Sequence, residues 1–279
     1  MADFPKVYTV AGKFMALPRD HVNAYIVETE YAVVVVDSTL ASSSGQDLRK
    51  VAESCGKPIE AVLLTHGHPD HWGGLIHFAD VPRYGSQGAL DFALEEDRVK
   101  SPTARGYLGD DWPEEHLFID RIVADDDVVE VDGVTFTFTD LGPGESPADG
   151  MWTFSKDGMR SAFIGDVVAN RCHSFVRDLH VRDWLGILDR LEKEFADQPT
   201  AMYVGHGATP ASIEALGWQR GYLNAFLEVA GRVTDRSEPV SRGVQEQVIT
   251  GVQEYLPGAA TLFLLDYELD VSLPHYWKR

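Results

Sequence analysis

A chain of 279 residues, 44% of them hydrophobic, is long enough to bury a sizeable core in one large domain or two small ones. Its formal charge of −20 and sequence pI near 4.7 repel phosphate backbones and anionic lipid, so neither nucleic acid nor a membrane is an expected partner. No run approaches the ~20 apolar residues of a bilayer span, the opening MADFPKVYTVAGKF lacks a basic head followed by an apolar stretch, and Cys55 and Cys172 are too few for a disulfide framework; a cytoplasmic protein with reduced thiols is expected.

VNAYIVE (22–28) and YAVVVVD (31–37) are β-branched runs separated by a polar turn and read as paired strands. A helix is expected near 43–54, then a buried strand at AVLL (61–64). HWGGLIHFAD, from His71, reads as short and helical, and RYGS leads into a helix over 87–96. Residues 98–116, RVKSPTARGYLGDDWPEEH, mix Pro, Gly and charge without a period, which predicts a long loop or irregular insertion of the kind that forms lids. Tyr107, Trp112 and His116 within it are candidates to close over an apolar substrate, with ordinary loop packing as the alternative.

Asp132-Gly133 between VVEV and VTFTFTDL predicts a hairpin, with DDD (125–127) before it as a solvated turn. MWTFS and RSAFIG follow as strands joined by KDG, then a helix over 183–195, a short strand AMYV (201–204), and mostly helix from Ala211 to about Tyr255. In that last part Trp218 and Tyr222, four apart, share a helix face and are expected in the core. This order predicts an α/β or α+β layered body with sheet inside and helices outside. Residues 1–210 are expected to form the main domain and 211–279 a helical extension packed on it, which either covers the sheet or mediates a homo-oligomer.

The segment THGHPDH (65–71) carries the chemistry. Residues two apart in extended backbone project to one side, so His66 and His68 can reach one metal ion. Pro69 turns His68 away from helical geometry and starts a helix, which puts Asp70 and His71 on its first turn, within reach of a second ion about 3.5–4 Å from the first. Three further strand ends offer metal-binding side chains beside glycine: Glu145 in GPGES after VTFTFTDL, Asp166 after RSAFIG, and His206 in GHG after AMYV. In a layered sheet such ends line one rim, where ligands bind. His173 and His180, in NRCHSFVRDLH after Asp166, are weaker candidates for the pocket wall, and His77 is expected to be packed or exposed on its helix.

These motifs resemble the metallo-β-lactamase-fold superfamily: THGHPDH matches its T-H-x-H-x-D-H, IGD its strand-ending aspartate and GHG its last histidine, over roughly the first 210 residues. The resemblance implies a four-layer αββα sandwich with a two-metal site at one edge of the sheets. It implies His66, His68 and the residue of the PG-x motif on one ion, Asp70, His71 and His206 on the other, Asp166 bridging both, and a proton-handling role for Asp70.

The chain departs from the pattern at position 145, where most members read PGH and this one reads PGE. A carboxylate is a harder, negatively charged ligand, so it lowers the Lewis acidity of its ion. Two divalent ions are expected, zinc first, with Glu145 shifting the balance toward manganese or iron. The implied function is a metal-dependent hydrolase acting on a small, partly apolar substrate, an ester or lactone before an amide. The alternatives are alkyl-sulfate hydrolysis and an iron-dependent redox enzyme of the same fold, of the oxygenase or persulfide dioxygenase type.

Overall fold

A computed structural model of the chain describes residues 4–14, 21–258 and 260–277. Its first sheet takes six strands in chain order: β1 (Lys6–Lys13), β2 (His21–Glu28), β3 (Val33–Val36), β4 (Ile59–Leu63), β5 (Arg83–Gly85) and β6 (Arg121–Ile122). β1 to β3 pair antiparallel through short connections, whereas β3 to β6 pair parallel. Parallel neighbours need crossovers. These are α1 (Ser42–Ser54), then α2 (Pro69–Trp72) with a 3₁₀ turn at Gly73–Phe78, then α3 (Gln87–Leu108).

The second sheet runs β11-β10-β9-β8-β7, with β7 (Val128–Val131), β8 (Val134–Gly142), β9 (Asp149–Lys156), β10 (Met159–Asn170) and β11 (Thr200–Gly207). β7 to β10 form an antiparallel meander. At its first corner Asp132 and Gly133 both take positive φ, 50° and 74°, the turn a two-residue hairpin favours. α4 (Val181–Phe195) is the crossover that brings β11 parallel to β10. Beyond β11 lie α5 (Glu214–Arg232), α6 (Arg242–Tyr255), α7 (Leu262–Asp266) and α8 (Leu269–Trp277).

Strand periodicity turns these elements into an αββα sandwich. All four residues of β3 are buried, but they alternate between two cores. Val34 and Val36 pack between the sheets with Phe136, Phe138, Trp152 and Phe163, while Val33 and Val35 face outward onto Leu48, Ala52 and Trp72. A third core covers the outer face of the second sheet, where Ala162, Ile164, Met202 and Val204 meet Leu188, Leu223, Val248 and Leu273 from α4, α5, α6 and α8. Trp218 stacks on buried Tyr222 there at 5.8 Å. Among the described residues no helix is long and apolar enough to cross a membrane.

The irregular insertion expected over 98–116 is not what forms. α3 continues through Pro102 to Leu108, and a 3₁₀ turn follows at Gly109–Asp111. The helix escapes periodicity because its buried face is made of Ala89, Ala93 and Glu96, with no stripe of large apolar residues. The bond that Pro102 cannot donate is one loss among local side-chain bonds: Ser101 Oγ donates to Asp97, and the Trp112 indole N–H donates to Ser101 Oγ at 3.0 Å. Trp112, 1% exposed, and His116 pack beside Trp72 in the core, the ordinary packing given as their alternative, whereas Tyr107 is exposed with its ring 6.4 Å from that of Phe263.

Four side-chain and backbone bonds lock the sheets together at one edge. Asn23 Nδ2 donates to Val204 O and Gly207 O, both at 3.0 Å, joining β2 to β11. Gly150 N donates to Thr65 O at 2.8 Å and the Trp152 indole N–H to Leu64 O at 2.9 Å, joining β9 to the segment after β4.

Candidate metal centre

That edge carries THGHPDH. His68 is extended (φ −73°, ψ 147°) and Pro69 opens α2, the change of backbone direction that separates two sets of side chains. His66 Nε2 lies 3.1 Å from His68 Nδ1, and Glu145 Oε2 lies 3.6 Å and 2.9 Å from the same two atoms. In the second set, His206 Nε2 lies 3.1 Å from Asp70 Oδ2 and 3.2 Å from Asp166 Oδ2, and His71 Nε2 lies 3.3 Å from Asp166 Oδ1. Each set keeps its ligand atoms within 4.8 Å of one another, and all seven residues are buried. The seven residues expected at the rim are thus brought together, in the two groups the resemblance implied, with Asp166 in the second.

Asp166 and His206 arrive differently than expected. They lie inside β10 and β11 rather than past their ends, at an irregularity where the pairing register shifts after Phe163 and again after Gly165. Gly165 takes φ +52° there, and Gly205 leaves room that no side chain can fill: a Cβ on it would fall 1.8 Å from Asp166 Oδ1. A bulge of this kind turns a strand residue out of the pleat and into a site. Glu145 sits in the turn between β8 and β9, where Asp149 Oδ2 accepts from the N–H groups of Glu145 (2.7 Å) and Ser146 (3.2 Å).

The four imidazoles share one arrangement, in which one nitrogen faces the cluster and the other is held from behind. Thr65 Oγ1 lies 3.0 Å from His66 Nδ1, Asp178 Oδ2 3.0 Å from His68 Nε2, Asp37 Oδ2 2.9 Å from His71 Nδ1, and the His21 carbonyl 2.8 Å from His206 Nδ1. Facing inward, His71 Nε2, Glu145 Oε2 and Asp166 Oδ1 are buried, and their close approaches to other ligand atoms do not have the geometry of hydrogen bonds. Buried polar atoms are seldom left so. A cation bound by each set would satisfy them, and rings oriented from behind are the usual support of metal-binding histidines.

The electrostatics fit the same reading. Burial opposes the charge on His71 and His206, but the neighbouring carboxylates, Asp166 first with Asp37 and Asp70 beside His71 and Asp70 beside His206, together outweigh it and hold both well above the ordinary imidazole range. Asp166 is held well below the carboxylate range because His206 and His71 overcome its burial. His66 goes the other way, depressed by burial and then by the charges of His71 and His68. Burial pushes Glu145 up to about 8, with His68 offsetting part of the rise. Without a cation the cluster therefore keeps positive charge on His68, His71 and His206 beside an ionised Asp166, and a divalent ion is the natural replacement for those protons.

Asp37, Asp149 and Asp178 are the participants that sequence reading passed over. Asp37 ends the run VVVVD much as Asp166 ends IGD, and Asp178 lies in NRCHSFVRDLH, between His173 and His180. Those histidines stand elsewhere: His173 is buried against Tyr222 and Gly258, and His180 precedes α4. A cavity of about 90 Å³ opens over His68, Asp70, Glu145 and Asp166, with Phe14 and Phe175 in its walls.

Residues 17–206 match the metallo-beta-lactamase superfamily. Among solved structures, a beta-lactamase domain protein from Burkholderia ambifaria aligns at a TM-score of 0.68 and 20% identity, over 96% of this chain and 84% of that one. A metallo-beta-lactamase from Pontibacter korlensis aligns at 0.63 and 17%, over 80% and 97%. At such identities the likeness is one of fold. The alkyl/aryl-sulfatase BDS1 of Saccharomyces cerevisiae is 23% identical over 239 residues, covering 72% of this chain and 36% of that protein. The protein YobT of Bacillus subtilis is 41% identical over 60 residues, covering 22% and 25%. The chain thus spans only about a third and a quarter of the curated relatives it matches.

Proposed function

The chain belongs to the metallo-beta-lactamase superfamily, and from that premise we propose that it is a metal-dependent hydrolase with a site for two divalent ions, acting on a small ester or lactone. The observation that carries this reading is the pair of buried ligand sets, in which the outer nitrogens of all four rings are tied while His71 Nε2, Glu145 Oε2 and Asp166 Oδ1 face inward without hydrogen bonds. His66, His68 and Glu145 would hold one ion; Asp70, His71, Asp166 and His206 would hold the other. Ions bound there supply Lewis acidity and lower the pKa of water. Asp70 borders the cavity, so its carboxylate is available to take a proton at the face that meets the substrate. Phe14 and Phe175 exclude bulk water around that face. Zinc is the expected ion, with Glu145 making manganese or iron stronger competitors than a histidine would.

Sulfate-ester hydrolysis is the second reading, favoured by the sulfatase relative and by the carboxylate at position 145. Iron redox chemistry at the same residues is separated from both by colour and by the iron-to-zinc ratio of protein purified without added metal. The deciding experiment combines elemental analysis with ester, lactone, β-lactam, phosphodiester and sulfate substrates, run on the parent and on His68→Ala. At least one class is hydrolysed by the parent and spared by the variant. No hydrolysis by the parent, or turnover that survives the substitution, overturns the proposal.

A further inference from the structure

Above the ligand residues the cavity wall is aromatic, with Phe14, Phe175 and, from α7 and its C-terminal end, Phe263 and Tyr267. One charge interrupts it. Among the described lining residues Lys100, on α3, is the only lysine or arginine. Its Nζ lies 4.7 Å from the centre of the Phe175 ring and 5.7 Å from that of Tyr267, with the side chain 19% exposed. Phe175 in turn meets the His68 ring edge-on at 5.1 Å, so the ammonium stands about one ring's width from the ligand cluster.

Lys100 also pairs with Glu96, four residues earlier on α3. A pair needed only for helix stability sits as well on the solvent face, where neither charge loses its water. Here both are largely buried, which is costly unless the charges have further use. An ammonium has three donors, and Glu96 accounts for one partner.

The charge balance gives that use. The chain carries −20, a field that repels anions. Asp70, Glu145 and Asp166 would leave two divalent ions with one residual positive charge, where a histidine at 145 would leave two. An anionic substrate therefore finds little attraction at the ligand cluster itself, and Lys100 is the lining cation that restores it.

We propose that Lys100 is a specificity residue, and that the substrate is an amphipathic carboxylate. Its aryl or branched alkyl body packs on Phe14, Phe175, Phe263 and Tyr267, and its carboxylate, separate from the bond to be cleaved, is received by Lys100. The cleaved bond rests on the hydrolase reading; the binding preference does not.

The test is calorimetric titration of the purified protein, its metal content measured, with 4-phenylbutyrate and the matched neutral amide 4-phenylbutanamide. The parent binds the carboxylate about ten-fold more tightly, the scale of one charge-assisted hydrogen bond. Lys100→Met and Lys100→Gln lose that preference, and Glu96→Gln, which releases the ammonium, enlarges it. Amide binding, which reads the apolar wall, reports that each variant is folded. Equal affinity of the parent for both probes, no binding of either, or a preference that survives both Lys100 substitutions and so belongs to the metal ions, overturns the inference. Because titration needs no turnover, a carboxylate preference in a protein that cleaves nothing removes the hydrolase reading alone. Hydrolysis of neutral esters without the preference removes this inference alone.

Discussion

Asp178 Oδ2 lies 3.0 Å from His68 Nε2, a contact across 110 positions of sequence that turns the other nitrogen of the ring toward Glu145 and His66. Removing such a partner loosens the ring and lowers its basicity, at a typical cost of about 10–100-fold in metal affinity. Asp178→Ala is therefore expected to weaken one of the two ions by that factor and leave the other nearly unchanged. Chelator competition followed by metal analysis measures both; equal retention in parent and variant would remove Asp178 from the support of the site.

Glu145 is where the chain departs from the motif it otherwise matches. Glu145→Ala should weaken the ion shared with His66 and His68 more than the ion shared with His71 and His206, because the alanine removes a ligand from the first set only. Glu145→His should raise zinc affinity relative to manganese, since imidazole is the softer donor. Competition between the two metals, read by elemental analysis, checks the direction. A zinc-to-manganese preference unmoved by the histidine argues that Glu145 does not ligate.

Gly205 is a steric requirement of the cluster. A methyl group there would overlap Asp166 Oδ1 and press on His71 Cε1 at 2.8 Å. Gly205→Ala is expected to cost about 1–3 kcal/mol of stability, the usual range for overpacking, and to displace Asp166. Urea denaturation and metal content together test this; a variant of parental stability holding its full metal complement contradicts it.

His173 gives the fold a sensitivity to acid that is separate from the metal ligands. Burial depresses its pKa below the ordinary imidazole value, more than the bond to the Gly258 carbonyl restores. A folded pKa below the unfolded value, about 6.5, means that the unfolded chain takes the proton first. The stability this group contributes is therefore complete above that pH and lost as pH falls below it. Denaturation midpoints should drop on going from pH 7.5 to pH 5.5, and less steeply in His173→Gln. Parallel curves for parent and variant would count against it.

Much of the site is legible because its first part is local. His66, His68, Asp70 and His71 fall within one segment, and the backbone change at Pro69 follows from covalent geometry. Asp166 and His206 are legible as polar residues beside glycine in apolar strands, although the bulge that turns them inward is not. Asp37, Asp149 and Asp178 are invisible for a different reason: a carboxylate is common in any sequence, and only the packing of distant segments makes these three into partners of His71, Glu145 and His68. α3 is hidden likewise, since alanines bury a helix face without leaving the apolar stripe that periodicity detects.

The sequence by itself determined most of the strands, through apolar runs and turn residues, and the seven side chains at one rim, through spacing and strand position. Their arrangement in two sheets was implied only by the resemblance, and β1, β5 and β6 were not foreseen. Tertiary structure alone decided which nitrogen of each ring faces inward and which wall residues, Lys100 among them, stand over the cluster. The division has a physical cause. Backbone direction and side-chain period are set by neighbours in the chain, whereas ring orientation and cavity walls are set by atoms that meet only when the layers close.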